Sequence, residues 1–125
     1  AHEMRDPLDD VRPVTDASTL RSLQLTTRTV FASDAVKRFV VDLVTATRST
    51  PLLRLGASPR SSVHLLQAAK AMSLLAGRDH VLPDDVKALA VSVLAHRTLL
   101  STEAHLDRRS ATSIIADLVA HTPVP

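Results

Sequence analysis

Apolar residues recur every three or four positions along most of the chain, which is the period of an amphipathic α-helix. The first such segment follows an N-cap at Thr15 or Asp16, runs to about residue 28 and directs Leu20 and Leu23 inward. A second helix is predicted after Ser33, another favourable N-cap, and ends by residue 50 because a proline follows. Its apolar face consists of Val36, Phe39, Val40, Leu43 and Thr47.

The third predicted helix is the most apolar of the set. A loop over 51–57 leads to Ser58 and Pro59, which suit the N-cap and the first helical position, and Gly77 suits the end. Apolar side chains cover most of its circumference: Val63, Leu65, Leu66, Ala69, Met72, Leu74 and Leu75. A narrow polar stripe is formed by His64, Gln67, Lys70 and Ser73. A helix that is apolar nearly all round is expected at the centre of a bundle.

Two more helices are predicted towards the C-terminus. One begins at Pro83 with Asp84 and Asp85 in its first turn, and buries Val86, Leu89, Ala90, Val93 and Leu94. The other runs from about Ser110 to Ala120, with Ala111, Ile114, Ile115, Leu118 and Val119 on one face. Between them, residues 97–101 are predicted to form a short extended piece. No segment alternates long enough to predict a sustained strand.

The predicted fold class is therefore all-α, a small bundle of four to five helices. Residues 1–14 carry Pro7 and Pro13 without a helical period and are interpreted as a linker, which leaves 15–125 as one helical domain. The longest apolar stretch, Ala88–Ala95, is far too short to span a bilayer, and the first ten residues are too polar for a signal peptide. We therefore expect a cytoplasmic protein that does not contact a membrane.

The composition excludes several functions. The chain has two glycines, Gly56 and Gly77, which are too few and too far apart for a Walker A loop, a dinucleotide fingerprint or a nucleophile elbow. Cysteine is absent, so no disulfide, thiolate zinc site or catalytic thiol is possible. Aromatic residues make up only 2% of the chain, which argues against a stacking platform for single-stranded nucleic acid. The chain by itself therefore cannot form a glycine-rich phosphate cradle.

The titratable residues give no sign of a catalytic or metal site. The six histidines are scattered, and no pair has the spacing of helical metal ligands; His2 and Glu3 open a zinc-protease signature, but Asp6 stands where its second histidine belongs. Most aspartates lie at predicted helix starts, where capping accounts for them. We expect no metal site and no catalytic residue in the isolated chain.

Arg60 breaks the rule that the other helix starts obey. It lies in the first turn of the third helix, where the helix dipole disfavours a cation by a few tenths of a kcal/mol. An anion bound there would be stabilised by the dipole and by the guanidinium together, and Arg54 could add charge. The alternative is that the Arg60 side chain extends away from the helix end or pairs with an aspartate.

The run from Arg54 to Arg60, Arg-Leu-Gly-Ala-Ser-Pro-Arg, resembles the sensor 2 motif of the MoxR family of AAA+ ATPases. Shorter strings resemble other parts of that family's C-terminal lid: Arg12–Val14, Val41–Arg48, Gly77–Asp79, Pro83–Leu89 and Pro123–Pro125. The resemblance covers nearly all of the chain after Arg12, and the Gly-Ala-Ser-Pro-Arg string is its most specific part.

This resemblance implies that the chain is a lid fragment of a larger chaperone-like ATPase. By the family's pattern, Arg60 is the sensor 2 arginine that reaches the ATP phosphates. Gly56, Ala57, Ser58 and Pro59 would shape its approach, with Arg54 as a further candidate. The family implies ATP and Mg²⁺ in the full-length protein and none bound by the fragment alone. It also implies three partners: the protein's own N-terminal AAA+ core, neighbouring subunits of a ring, and von Willebrand factor A domain proteins.

Two alternatives come from other classes of protein. A helical DNA-binding module is suggested by the two helices joined near Gly77 and by Arg108 and Arg109. Against it, the helix from Pro83 opens with two acidic residues and would meet phosphates acid-first, so a nucleic-acid partner is not expected. The other alternative is a free-standing protein-interaction bundle.

Overall fold

The structure, a computed structural model, describes residues 6–125. In that range it contains six α-helices and one antiparallel pair of short strands: α1 (Ala17–Thr29), α2 (Asp34–Ser49), β1 (Leu53–Leu55), α3 (Pro59–Leu75), α4 (Pro83–Leu94), β2 (Leu99–Leu100), α5 (Thr102–Leu106) and α6 (Ala111–His121). Two 3₁₀ turns cover Pro7–Asp10 and Ala95–Arg97. The predicted all-α class is confirmed. The first five residues of the predicted linker, with His2 and Glu3, lie outside the described range.

Polar side chains fix most of the helix starts where the sequence predicts them. Asp16 accepts a hydrogen bond from the Thr19 N–H at 2.7 Å, and Ser33 accepts one from the Val36 N–H at 3.2 Å. Ser110 begins α6 in the same way. Each of these bonds satisfies an amide that the helix itself leaves free.

The core lies around α3, which packs against α1, α2 and α4. Most of its fully buried apolar side chains come from α2, α3, α4 and α6: Phe39, Val40, Leu43, Val44, Leu65, Ala69, Val86, Ala90, Leu94, Ile114 and Ile115. The third helix does have three neighbours, as its predicted central position requires, but Val63 and Leu75 are 54% and 82% exposed, so it is not buried on all sides. In the part of the chain that is described, no helix is both long and apolar enough to cross a membrane.

The prediction that Leu20 and Leu23 of α1 point into the core is wrong. Their side chains are 50% and 42% exposed, and α1 buries none of its residues. The physical reason is the position of α1 at the edge of the bundle, where α3 is its main neighbour. Its apolar stripe is real, but within residues 6–125 nothing covers it.

The polar stripe predicted along α3 is wrong at Ser73, which is fully buried. Its hydroxyl lies 2.9 Å from Asp85 Oδ2, and the Arg78 guanidinium binds the same carboxylate through both oxygens at 2.9 and 2.6 Å. The Leu82 N–H donates to it as well, at 2.8 Å. The Arg78 guanidinium is the main reason that the pKa of Asp85 falls from 3.8 to about 2. This cluster, Ser73, Arg78 and Asp85, locks the turn between α3 and α4.

The loop predicted over 51–57 contains β1, and α5 was not predicted. Leu53 pairs with Leu100 and Leu55 with Leu99, with an irregularity in register between them. The predicted extended piece over 97–101 is confirmed in β2. Strands of two or three residues and a helix of five are shorter than the window in which a hydrophobic period can be recognised.

Candidate functional site

The loop between β1 and α3 is pinned to the C-terminal end of α2. The Ala57 N–H donates to Thr47 Oγ1 at 2.8 Å, and that hydroxyl donates to the Val44 carbonyl at 2.7 Å. At Gly56 the backbone approaches so closely that a Cβ would lie 2.4 Å from the Thr47 carbonyl oxygen and 2.7 Å from the Arg48 Cα. Both Thr47 and Ala57 are fully buried. The start of α3 is therefore held in one place relative to α2.

The first turn of α3 is exposed and carries an unpaired cation. Ser58 takes the N-cap position, but its side chain makes no capping hydrogen bond. Pro59 has no N–H to satisfy. Arg60 is exposed and forms no hydrogen bond or ion pair through its side chain with any residue in 6–125. Pairing of Arg60 with an aspartate, the alternative left open above, does not occur within the described chain.

Comparison with the other helices shows how unusual this start is. Among the six α-helices of the described chain, α3 alone has neither a side-chain cap nor an acidic residue in its first turn. The Ser61 N–H donates to the Ser58 carbonyl at 2.8 Å, so the Arg60 N–H and the helix dipole are what remain available to an anion in this turn. The arrangement is that of an anion-binding helix terminus reinforced by a guanidinium.

A cavity of about 600 Å³ opens beside this turn, between the end of α2, β1 and the 3₁₀ turn that follows α4. Three arginines line it, Arg48, Arg54 and Arg97, and all three are exposed. None of the three side chains forms a hydrogen bond or an ion pair with another described residue. The other lining residues are Leu53, Leu55, Gly56, Ala57, Ser58, Pro59 and Ser61. The cavity wall is therefore strongly basic.

The structure brings most of the predicted site residues together. Arg54 and the run Gly56–Pro59 line the cavity, whereas Arg60 lies on the same turn without lining it. Sequence reasoning missed Arg48 and Arg97, because the first stands at the end of α2 and the second 37 residues after Arg60. A cation near the C-terminal end of a helix is ordinarily explained by its favourable interaction with the helix dipole. The sequence therefore contains no signal that would single out Arg48 or Arg97 as a site residue.

No cluster in residues 6–125 brings together three histidine, aspartate or glutamate side chains that could hold a metal ion. His80 instead lies 2.8 Å from the neighbouring Asp79 carboxylate, and His121 lies 2.7 Å from the Asp117 carbonyl, one turn earlier in α6. The chemistry that the described site can offer is thus the binding of an anion by guanidinium groups and helix amides.

Comparison with known proteins identifies the class of domain that this fold and site define. The family model described as the AAA lid domain matches residues 45–118, which include β1, the loop, α3 and α4. The chain belongs to this family of AAA lid domains.

The relatives narrow the class further. Protein MoxR of Paracoccus denitrificans is 40% identical over 75% of the chain, and Chaperone MoxR1 of Mycobacterium tuberculosis is 34% identical over 76%. YeaC of Bacillus subtilis is 37% identical over 98% of the chain. The crystal structure of a candidate ATPase from Cytophaga hutchinsonii superimposes with a TM-score of 0.75 over 81% of the chain at 29% identity. The resemblance to the lid domain of MoxR-family ATPases, stated above from the sequence, is confirmed.

The chain spans about a third of the length of the proteins that it matches. It covers 38% of YeaC, 32% of the Paracoccus MoxR, 28% of MoxR1 and 33% of the Cytophaga chain. The similarity therefore concerns one part of those proteins, and it concerns nearly all of this chain.

Proposed function

We propose that this lid domain acts within a MoxR-type AAA+ ATPase, where Arg60 contacts the ATP phosphates. The observation that carries the proposal is the exposed, unpaired guanidinium of Arg60, at the one α-helix start in residues 6–125 that has neither a side-chain cap nor an acidic residue in its first turn. The loop before it is fixed to α2 by the bond between Ala57 and Thr47. A guanidinium held at a fixed place on the surface is suited to a ligand on another part of the protein.

The chemistry of phosphoryl transfer gives Arg60 a clear role. Negative charge on the γ-phosphate is stabilised by a permanent, forked cation, and the dipole of α3 adds to that field. Because ADP lacks the γ-phosphate, Arg60 would contact the two nucleotides differently. A ligand shifts a conformational equilibrium only through such a differential contact, so Arg60 would couple the nucleotide state to the angle of the lid.

The exposed face of α1 supports the expected contact with an AAA+ core. Leu20 and Leu23, which lie on one face of α1, are both at least 40% exposed, as is Val63 on the neighbouring α3. An apolar patch of this kind, bordered by polar residues, is typical of an interaction surface. We assign it to the nucleotide-binding core of the same protein, which would supply the phosphate loop that this chain lacks.

The remaining expectations are supported by the family alone. They are a chaperone-like role, as the name of MoxR1 indicates for that protein, a ring of neighbouring subunits, von Willebrand factor A domain partners, Mg²⁺ with the ATP, and a cytoplasmic location. Within this proposal the lid alone does not hydrolyse ATP, because all catalytic groups belong to the core.

The test is the steady-state ATPase rate of the full-length protein with Arg60→Ala. We expect the rate to fall by about a hundredfold to a thousandfold, the range found when one donor to a developing oxyanion is removed. The thermal unfolding midpoint should not change, because the Arg60 side chain has no partner in the described chain. Arg60→Lys should restore part of the rate, since it keeps the charge but loses the fork.

Arg108→Ala is the matched control, because Arg108 is also exposed, lacks an ion pair among the described residues and lies in the turn before α6. Its ATPase rate should equal that of the unmodified protein. An Arg60→Ala protein with an unchanged rate would contradict the sensor assignment, and so would ATP turnover by the 125-residue chain alone.

A further inference from the structure

We propose that the groove between α1 and α3 is a docking site for an acidic amphipathic helix, presented by the nucleotide-binding core of the same protein. The acidic, helical character of the occupant follows from the groove itself, and only its assignment to the core rests on the proposed function. The groove begins at Val63, one turn after the start of α3, and shares no residue with the basic cavity described above.

The groove has an apolar floor between two helices. On α3 its lining follows the spacing of one helix face and includes Val63, Leu66 and Ala71, with Lys70 at the rim. Arg28 lines the opposite side, on α1. From Val63 to Ala71 the groove is about 12 Å long at the rise of an α-helix, and its volume is about 480 Å³. Apolar side chains of a partner would displace water from this floor, which includes a valine that is 54% exposed.

The walls of the groove favour a helix as the occupant. Along α1 and α3 the backbone N–H and C=O groups are bonded within each helix, so the groove offers no free row of them to an extended segment. An extended segment would therefore bury unpaired backbone groups of its own, whereas a helix satisfies its own backbone. Helices bind grooves of this kind through apolar anchors spaced three and four residues apart.

The charge of the two helices selects an acidic partner. Arg21 and Arg28 lie on α1 and Arg60 and Lys70 on α3, and neither helix contains an aspartate or a glutamate. Arg28 and Lys70 lie on opposite sides of the groove, and neither forms an ion pair within residues 6–125. Carboxylates on both flanks of a bound helix would meet these cations and fix its orientation. A second copy of this chain would bring like charges together at the same face, so it does not match the groove.

Two other classes of partner carry negative charge, but they match the groove less well. Nucleic acid is bound chiefly through its phosphates, and an apolar floor gives phosphates no partner. A membrane-surface helix inserts its apolar face into the lipid boundary, whereas Leu66 and Ala71 are half-buried between two helices. An acidic helix with apolar anchors matches both the floor and the rim.

The experiment measures binding of a fluorescein-labelled synthetic peptide to the 125-residue chain by fluorescence anisotropy at low salt. The peptide has about 14 residues, roughly four helical turns, with leucine at every third or fourth position and glutamate and alanine elsewhere. A second peptide carries glutamine in place of every glutamate. We expect the glutamate peptide to bind about tenfold more tightly or better, and to lose affinity as salt is added. In ¹H–¹⁵N NMR the largest shifts should lie at the amides of residues 24–28 and 63–71.

Substitutions test the rim and the floor separately. Arg28→Glu and Lys70→Glu should each weaken binding of the glutamate peptide about tenfold, because each places a like charge at the rim. Arg108→Glu makes the same charge change away from the groove and should alter the affinity by less than about twofold. Val63→Gln should weaken the binding severalfold, whereas Val41→Gln on α2, where the side chain is 51% exposed, should not. Both valine variants should keep the unfolding midpoint, since both side chains are more than half exposed.

Several results would overturn the docking site. It is wrong if the glutamate and glutamine peptides bind equally, if neither binds, or if Arg28→Glu and Arg108→Glu weaken the binding equally. It is also wrong if residues 63–71 respond to double-stranded DNA or to vesicles of anionic lipid and not to the glutamate peptide.

The full-length protein separates this inference from the proposed function. If the core occupies the groove, the full-length protein should bind the glutamate peptide about tenfold more weakly than the 125-residue chain does. Equal binding would show that the groove is free in the full-length protein, which would overturn the assignment to the core. The ATPase rate of Arg60→Ala does not enter this test, so the sensor assignment can fail while the docking site stands, and the reverse.

Discussion

At the scale of single residues, the two glycines of the chain are required for different reasons. Gly56 is needed because its backbone approaches the end of α2 too closely for a Cβ, with backbone atoms of Thr47 and Arg48 within 2.7 Å of that position. Gly77 has open space around it but a φ of +75°, the left-handed conformation that ends α3. Gly56 is therefore required because there is no room for a side chain, and Gly77 because of its backbone conformation.

This difference predicts that asparagine destabilises the chain more at position 56 than at position 77. Gly77→Asn should cost less than about 1 kcal/mol of unfolding free energy, because asparagine tolerates the left-handed region. Gly56→Asn should cost about 2 kcal/mol or more, because backbone atoms cannot move aside as a flexible side chain can. Chemical denaturation of the two variants measures both values, and equal costs would contradict this account of Gly56.

At the scale of elements, the turn between α3 and α4 depends on one carboxylate. Asp85 receives hydrogen bonds from Arg78, from Ser73 and from the Leu82 amide, so it joins the end of one helix to the start of the next. The adjacent Asp84 is exposed and forms only a surface ion pair with Lys87, at 3.2 Å. We therefore expect Asp85 to contribute more to the stability of the fold than the neighbouring Asp84.

We expect Asp85→Asn to lower the unfolding free energy by about 2 kcal/mol at pH 7, from the fall of the Asp85 pKa from 3.8 to about 2. A carboxyl whose pKa is depressed on folding contributes its stability above the unfolded value, near 3.8, and loses it as the pH falls towards 2. The stability difference between the unmodified chain and Asp85→Asn should therefore shrink between pH 5 and pH 2.

Asp84→Asn provides the comparison at the neighbouring position. It should change the unfolding free energy by less than about 0.5 kcal/mol at pH 7, as is usual for an exposed pair. Urea titrations of both variants across the pH range are the measurement. A constant difference for Asp85→Asn down to pH 2 would show that its ionised form does not carry the effect.

The same elements show how far the sequence predicts the fold. Helix starts at Asp16, Ser33 and Ser110 follow from local capping, and the buried face of α2 follows from its period, so both could be predicted. The burial of Ser73 and Asp85 could not be, because it depends on Arg78 returning across a turn, which no periodicity encodes. The exposure of Leu20 and Leu23 has a similar cause, since a period shows which face is apolar but not whether the described chain covers it.

The candidate site divides in the same way. Arg60 could be singled out from sequence because it breaks a local rule, and Arg54 because it lies in the same motif. Arg48 and Arg97 join the cavity only through the packing of α2 and the pairing of β1 with β2, which are contacts between distant parts of the chain. Local rules predict where an element starts, whereas a cavity wall is a product of the whole fold.

At the scale of the whole molecule, the main feature is the apolar face of α1, on which no other part of the described chain packs. Leu23→Gln should change the unfolding free energy of the 125-residue chain by less than about 0.5 kcal/mol, because the side chain is already 42% exposed. In the full-length protein the same change should lower the ATPase rate severalfold, because it places a polar group in the proposed contact with the core.

Leu43→Ala is the control for a side chain that the domain itself buries completely, and it should cost about 2 to 5 kcal/mol in the isolated chain. Thermal unfolding of the isolated chain and ATPase assays of the full-length protein give the two readouts. A large loss of stability from Leu23→Gln in the isolated chain would mean that α1 packs within the domain and is not reserved for a partner.

The cluster at the α3–α4 turn has a mechanical consequence. With 17 residues, α3 is about 25 Å long, with Arg60 at one end and the Arg78–Asp85 clamp beyond the other. A clamp of this kind makes α4 follow any tilt of α3, so the helix acts as a lever arm. By this geometry, a rotation of α3 by about 10° about its Arg60 end would move its other end by about 4 Å.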